Sequence, residues 1–313
     1  MNVRLLTPLL LSLTSLFQLA APAADAARQA RPARAATLSD LRPRLQEIAA
    51  ASGGRVGAAV EVLETGDAVS VEPEGRFPMQ SVYKLPIAMA VLQRVDSGRL
   101  KLDEKVRVAP EELVPGTMHS PLRDKNPKGG FEVSLRELLR AMMIESDGTA
   151  CDVLLRVVGG ATRVDEYLRG LGLDEVKVAT TEKEMSAGPD VQYRNWATPR
   201  GMLKLLRTLH EGRGLAAESR ALLLQLMADS VTGPRRLKGM LPAGTLVAHK
   251  TGTSGTVGGL TRATNDVGII TLPDGRHLAV AVFVADSRAD ASVREGVIAK
   301  IARAAFDLES RAK

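Results

Sequence analysis

Cysteine, histidine and aromatic side chains are scarce in this 313-residue chain, and each scarcity removes a class of chemistry. Cys151 is the only cysteine, so no intrachain disulfide can form. It follows an apolar helical pattern and reads as a small buried residue. Four scattered histidines, His119, His210, His249 and His277, make no zinc motif of recognisable spacing, so no metal is expected. Aromatics are 3% of residues, too few for stacking platforms, and no nucleic-acid partner is expected. A long basic run is also missing. Residues 1–36 account for +3 of the formal +6 charge, since Arg4, Arg28, Arg31 and Arg34 face only Asp25. The other charges are interspersed, as on an ordinary solvated surface.

What remains is 45% hydrophobic and 25% charged, enough for a substantial core in one or two domains. The start of the chain reads as an export signal, residues 1–26. Arg4 precedes the apolar stretch 5–20, and Ala21-Pro22-Ala23 and Ala24-Asp25-Ala26 offer alternative cleavage sites. Pro8 and several hydroxyl residues make the same stretch a poor membrane anchor, and it holds no cysteine for lipid attachment. Residues 27–36, rich in Ala, Arg and Pro, read as a linker. The expectation is an exported, periplasmic protein without a stable membrane anchor, acting as a monomer.

Beyond the linker, residues 37–54 suggest a helix ending at paired glycines, and Thr65-Gly66-Asp67 a hairpin turn between two strands. From Ser81 to about residue 230 the pattern is mainly helical. Ser134 and Glu137 form a capping-box pattern, and Thr198 with Pro199 opens another helix that closes at Gly212. Three strand patterns follow Leu241, the last two joined at Pro273-Asp274-Gly275. A tail with Val293, Val297, Ile301 and Ala305 reads as a terminal helix. The fold class is therefore α/β (α+β): an antiparallel sheet built from both ends of the chain, flanked by helices, plus an all-helical lobe. The expected partition is a discontinuous α/β domain, 37–80 with 236–313, and a helical domain, 81–235, with a cleft between them.

Three short motifs then stand out. Ser81 and Lys84 in "SVYK" lie one turn apart if Ser81 begins a helix. A serine hydroxyl needs a base or a charged environment to act as a nucleophile, and a desolvated lysine can accept its proton. A helix-start serine with a surface lysine fits this segment as well. Ser146-Asp147-Gly148 interrupts a helical region, and alone it is also a plain polar turn. Lys250-Thr251-Gly252, followed by Thr253, sits in a strand pattern, where glycine lets a substrate approach the edge; alone it is also a strand end. Together, in this order and these contexts, the three are far more specific than any one.

This set resembles the class A serine β-lactamases, which share S-x-x-K, S-D-N and K-T-G motifs with penicillin-binding proteins. Stretches such as "GGFEVSLRELL", "VQYRNWATP" and "NDVGIITLPDGRHLAVAVFV" are most similar to the PER- and VEB-type extended-spectrum branch. The resemblance implies a β-lactamase/transpeptidase-like fold and hydrolysis of penicillins and cephalosporins through a serine acyl-enzyme, without cofactor. It implies Ser81 as nucleophile, Lys84 and Glu182 as the two candidate acylation bases, and Ser146 as proton relay to the leaving nitrogen. Glu182 stands 17 residues before Pro199, the family's spacing for the deacylating glutamate, while Glu184 is the off-spacing alternative. Lys250, Thr251 and Thr253 would bind the substrate carboxylate, with Gly252 beside them on the substrate-binding strand edge, and the backbone N–H groups of Ser81 and Thr253 would form the oxyanion hole. Arg235 matches a position where some members place a carboxylate-binding arginine, and a solvent-facing arginine fits equally. His119 stands at the cleft wall or is a plain loop histidine.

Three departures qualify the likeness. Gly148 replaces the asparagine common in the second motif, Ser186 replaces one that helps hold the hydrolytic water, and Asn195 with Thr180 replaces a loop-pinning ion pair. The loop around Glu182 must therefore be held differently. The rival readings are a penicillin-binding peptidase or esterase on the same fold, which would stay acylated, and a silent β-lactam-binding domain.

Overall fold

The computed structural model describes residues 37–311 together with Met1; apart from Met1, the export signal and linker lie outside the described residues. A short 3-10 turn leads into α1 (Arg42–Ala50), then a hairpin of β1 (Arg55–Val62) and β2 (Ala68–Val71). The helical stretch contains α2 (Lys84–Asp96), α3 (Leu135–Ile144), α4 (Gly148–Val158), the one-turn α5 (Glu182–Met185), α6 (Pro199–His210) and α7 (Ala217–Ala228). The chain returns through β3 (Val247–Thr253), β4 (Leu260–Thr271) and β5 (His277–Ser287) and closes with α8 (Ala291–Arg311). The strands form one antiparallel sheet in the order β2-β1-β5-β4-β3, so both ends of the chain build it, as the pattern predicts.

Period-two alternation along β5 divides the core. Leu278, Val280, Val282 and Val284 face a cluster with Leu45, Val297, Ile298 and Ile301, beneath the terminal helices. Ala279, Ala281, Phe283 and Ala285 face the other way, into a larger cluster with Tyr83, Leu85, Leu138, Leu154 and Leu206. Small alanines on that face let helices lie close against the sheet. Val297, Ile301 and Ala305 of the terminal helix are buried as expected, whereas Val293 is exposed. The "mainly helical" middle also carries short strands: Lys105–Val108 pairs with Phe131–Ser134, and Trp196–Ala197 with Phe77–Pro78 and Val176–Lys177. Two to four residues give too little alternation to be read against the helical background.

Helix caps fix where the functional segments begin. The Ser134 hydroxyl accepts from the Glu137 N–H while the Glu137 carboxylate accepts from the Ser134 N–H, the reciprocal pattern that the sequence predicts. Asp147 caps α4 by accepting from the Ala150 N–H, and it also takes bonds from the Ser120 hydroxyl and the Leu122 N–H. It therefore ties the Ser146 turn to a neighbouring loop.

Candidate active site

Ser81 lies in a 3-10 turn, Gln80–Tyr83, that runs directly into α2, and Lys84 is the first residue of that helix. Pro86 falls in the first turn of α2, where its missing N–H costs nothing. The turn is held against β3 and β4. Asn265 donates to the carbonyls of Pro78 and Met79, and Gly252 passes so close that a Cβ there would lie 2.3 Å from the Met79 oxygen. The glycine of the third motif thus makes room for the chain's own backbone before Ser81, a reason for glycine that the sequence reading did not give.

Lys84 is the hub. Its Nζ is 3.0 Å from Ser81 Oγ, 2.6 Å from the Ser146 carbonyl, 3.5 Å from Ser146 Oγ and 2.8 Å from Glu182 Oε1. Ser146 presents both oxygens because its backbone is left-handed, φ 63°, an unfavourable conformation that the Asp147 cap and the flanking helices impose. Lys250 Nζ reaches Ser146 Oγ from the opposite side at 2.9 Å. Both lysines are buried, as is Glu182, while Ser81 is half-buried at the floor of a cleft of about 590 Å³.

Burial acts on the two amines alike, but their neighbours do not. It pushes the Lys84 ammonium down, and the charge of Glu182, aided by its hydrogen bond and smaller contributions, more than reverses this; Lys84 ends above the usual lysine range. Lys250 is carried down to about 7, by burial first and by repulsion from Lys84 second. The resting site therefore holds a firmly protonated Lys84 and a Lys250 poised near neutrality.

A profile of the Beta-lactamase enzyme family matches residues 40–308. The chain is 41% identical over 269 residues to the extended-spectrum β-lactamase PER-1 of Pseudomonas aeruginosa, covering 86% of this chain and 87% of that one. It is 37% identical to β-lactamase VEB-1 of the same organism, covering 84% and 88%. Among solved structures, a β-lactamase from Chitinophaga pinensis superposes with a TM-score of 0.84 at 46% identity, covering 86% of this chain and 99% of that one. The TLA-1 extended-spectrum β-lactamase does so with a TM-score of 0.85 at 40% identity, covering 88% and 100%. The chain belongs to the class A β-lactamases.

As a class A enzyme it hydrolyses the β-lactam amide, and its departures from the common family pattern have local physical reasons. Gly148 packs under the His119 carbonyl, its own N–H donating to that oxygen at 3.0 Å, and a Cβ there would lie 3.1 Å from it. An asparagine there would need the His119 carbonyl to give way by a few tenths of an ångström. His119 lines the cleft, its ring bonded to the Glu145 carbonyl at 2.9 Å. Ser186 also lines the cleft but donates its hydroxyl back to the Lys183 carbonyl at 2.6 Å.

The loop bearing Glu182 is held largely by hydrogen bonds to its own backbone. The Asn195 side chain accepts from the N–H groups of Ala179 and Thr180 and donates to the Thr180 carbonyl, a three-bond clamp. Thr180 donates to Glu184, which places that off-spacing acid in the loop's own scaffold. Asp152 of α4 accepts from the N–H groups of Glu182 and Lys183 at 2.7 and 2.9 Å, and Gln80 donates to Gln192 at 2.7 Å. Sequence reading missed Asp152, whose only signal was an acid five residues after Asp147 in an apolar helix.

Arg235 requires a correction. Its side chain is 74% exposed and pairs with Glu295 at 2.9 Å, away from the cleft. The neighbouring Arg236 is buried, lines the cleft, and donates to Thr253 Oγ1 at 2.7 Å and to the carbonyls of Gly252 and Asn265. Two adjacent arginines outside a regular element give no periodicity from which to choose the inward one. Thr232 was also missed; it shares a 2.6 Å hydrogen bond with Thr251. Arg236, Thr253, Thr251 and Lys250 thus line one polar wall.

Proposed function

We propose that Ser81 is the nucleophile through which this β-lactamase opens penicillins and cephalosporins, with Glu182 releasing the acyl group. The observation that carries the reading is the contact of one buried ammonium, Lys84, with Ser81 Oγ at 3.0 Å and Glu182 Oε1 at 2.8 Å. A lysine held protonated is not a free base, so the proton leaving Ser81 passes toward the carboxylate of Glu182, while Lys84 stabilises the developing alkoxide. Attack on the lactam carbonyl forms the Ser81 ester and breaks the C–N bond. The nitrogen takes its proton from Ser146, whose hydroxyl lies 2.9 Å from Lys250 Nζ; Ser146 regains one through Lys84, 3.5 Å from its Oγ and 2.8 Å from Glu182 Oε1, so the proton first taken from Ser81 ends on the nitrogen and Glu182 is a carboxylate again. In the second half-reaction Glu182 removes a proton from water as it attacks the ester, the bond between the acyl carbon and Ser81 Oγ breaks, that proton returns to Ser81 through Lys84, and the acid product leaves. Lys250, Thr251, Thr253 and Arg236 bind the substrate carboxylate, Arg236 taking the part first expected of Arg235.

The protein works as an exported, periplasmic monomer on this reading, supported by the export signal in the sequence. Among the described residues no helix is long and apolar enough to cross a membrane.

Incubation with a chromogenic cephalosporin tests the assignment. The unaltered enzyme is expected to turn over, Ser81→Ala to show no turnover and no adduct, and Glu182→Gln, in which Lys84 loses the charge that holds it protonated and becomes free to take the Ser81 proton, to accumulate an acyl-enzyme visible by intact-protein mass spectrometry. Turnover by Glu182→Gln equal to that of the unaltered enzyme would remove Glu182 from deacylation. A long-lived adduct on the unaltered enzyme would favour the peptidase-like rival.

A further inference from the structure

At the far end of the sheet, Glu64, His210 and His277 bring three potential metal-ligand atoms within 4.8 Å of one another. We propose that these residues form a binding site for a borderline divalent transition-metal ion of the Zn²⁺ class, independent of catalysis. The expectation of no metal cluster rested on spacing along the chain; the fold brings together residues that the spacing separates, at the end of β1, the last turn of α6 and the start of β5. In register, Thr253 stands level with Thr264 and Val284, so His277 lies seven residues farther along β5, about 24 Å at extended-strand rise.

The geometry is that of a prepared site. Glu64 Oε2 accepts the His277 backbone N–H at 2.9 Å, which orients the carboxylate. Its other oxygen, Oε1, lies 2.7 Å from His277 Nδ1 and 3.8 Å from His210 Nε2. The rings are 4.7 Å apart between centroids and tilted by 52°, so both present nitrogens toward one carboxylate oxygen. Among the described residues neither nitrogen of His210 has a hydrogen-bond partner. Each side chain remains about one-third exposed, 35% for Glu64, 29% for His210 and 31% for His277, so an ion can enter and keep water in its open positions.

The supports are rigid. Arg207, one turn before His210, donates to the Leu63 carbonyl and to Glu61, locking the helix end to the strand end. Arg220 donates to the His210 carbonyl. Neither cation hydrogen-bonds Glu64, which supplies the local negative charge. Two imidazoles and one carboxylate suit Zn²⁺, at about 2.0–2.2 Å per bond, and disfavour Mg²⁺ or Ca²⁺, which take oxygen sets. Coordination requires His277 to carry its proton on Nε2, releasing Nδ1 from the Glu64 bond to the ion.

Equilibrium dialysis of the untagged, chelator-stripped protein against 10–100 µM Zn²⁺, a range on the order of ordinary weak-site affinities, tests this. One Zn²⁺ per chain is expected, with a rise in Tm of about 3 °C that Mg²⁺ does not produce. The double variant His210→Gln/His277→Gln should lose the ion and the Tm rise, and His119→Gln should keep both. Should the double variant fail to fold by circular dichroism, Glu64→Gln serves in its place, with affinity expected to fall at least tenfold, on the order of one lost ligand. Absence of binding by the unaltered protein, binding undiminished in the folded variants, or an equal response to Mg²⁺ overturns the proposal.

Discussion

On the helix wall of the cleft Lys84 is fully buried against a carboxylate; on the strand wall Lys250 is equally buried, with no carboxylate in contact among the described residues. The two amines meet on the same hydroxyl, Ser146 Oγ, yet one is held above the usual lysine range and the other falls to about 7. Desolvation sets a common downward push, and the nearest charge decides the outcome. Glu182 therefore has two parts in one place: it works on water, and it keeps Lys84 cationic, which in turn lowers Lys250.

The strongest way to break this asymmetry is Glu182→Gln. Steric form is kept, but Lys84 loses its counter-charge and water loses its base. Stopped-flow measurement is expected to show a stoichiometric burst of product and then steady turnover reduced by about 10³-fold, within the range for a lost general base. Steady turnover within tenfold of the unaltered enzyme would mean that the asymmetry has no bearing on release of the acyl group.

The asymmetry can be sharpened by pH. Lys250 is a cation below about 7 and neutral above it. Binding of an anionic β-lactam by the free enzyme should therefore weaken as pH rises, with kcat/KM falling through a limb near 7 by up to about tenfold per pH unit. A bound carboxylate favours the ammonium, so the limb in kcat should lie higher. Lys250→Arg keeps its charge across this range and should remove the limb. A flat kcat/KM from pH 6 to 9 in the unaltered enzyme would contradict it.

Much of this cleft was legible in the sequence because each motif sits where local rules are strong. Ser81 and Lys84 start a helix, Ser146 precedes a capped one, and Lys250 to Thr253 end an alternating strand. The central sheet was legible for the same reason, since β4 and β5 are long and rich in β-branched residues. What stayed hidden depends on where unlike elements meet. Asp152 acts on N–H groups thirty residues away, Gly252 yields to the backbone at Met79, and His210 joins His277 only after α6 packs beside the sheet. Spacing along the chain carries no record of such meetings. The choice between Arg235 and Arg236 was hidden for a different reason: no regular period runs through that segment.

A smaller effect is expected behind the helix wall, at Asp152. Burial first, together with the nearby Glu182 charge and against two accepted N–H bonds, raises its carboxyl to about 6. Below that pH it becomes protonated and grips the Glu182 backbone less well. The enzyme should show an acid limb near 6 in kcat. Asp152→Asn keeps one accepting oxygen and should lower kcat by roughly tenfold, on the order of one weakened hydrogen bond, while erasing that limb. An unchanged acid limb in the variant would assign it to another group.

The least effect separates the two arginines. Arg235→Ala removes an exposed ion pair with Glu295, a contact on the order of 1 kcal/mol or less. Its kcat/KM should stay within about twofold of the unaltered value, as for other surface changes. Arg236→Ala instead leaves Thr253 Oγ1 and the carbonyls of Gly252 and Asn265 without their donor, beside the pocket that takes the substrate carboxylate. KM for anionic substrates should rise by about tenfold, equivalent to one charge-assisted hydrogen bond, with kcat less affected. Steady-state kinetics on the pair decides the matter. A larger KM change in Arg235→Ala than in Arg236→Ala would mean that the exposed arginine reaches the substrate after all, and that the polar wall of Lys250, Thr251 and Thr253 extends outward rather than into the core.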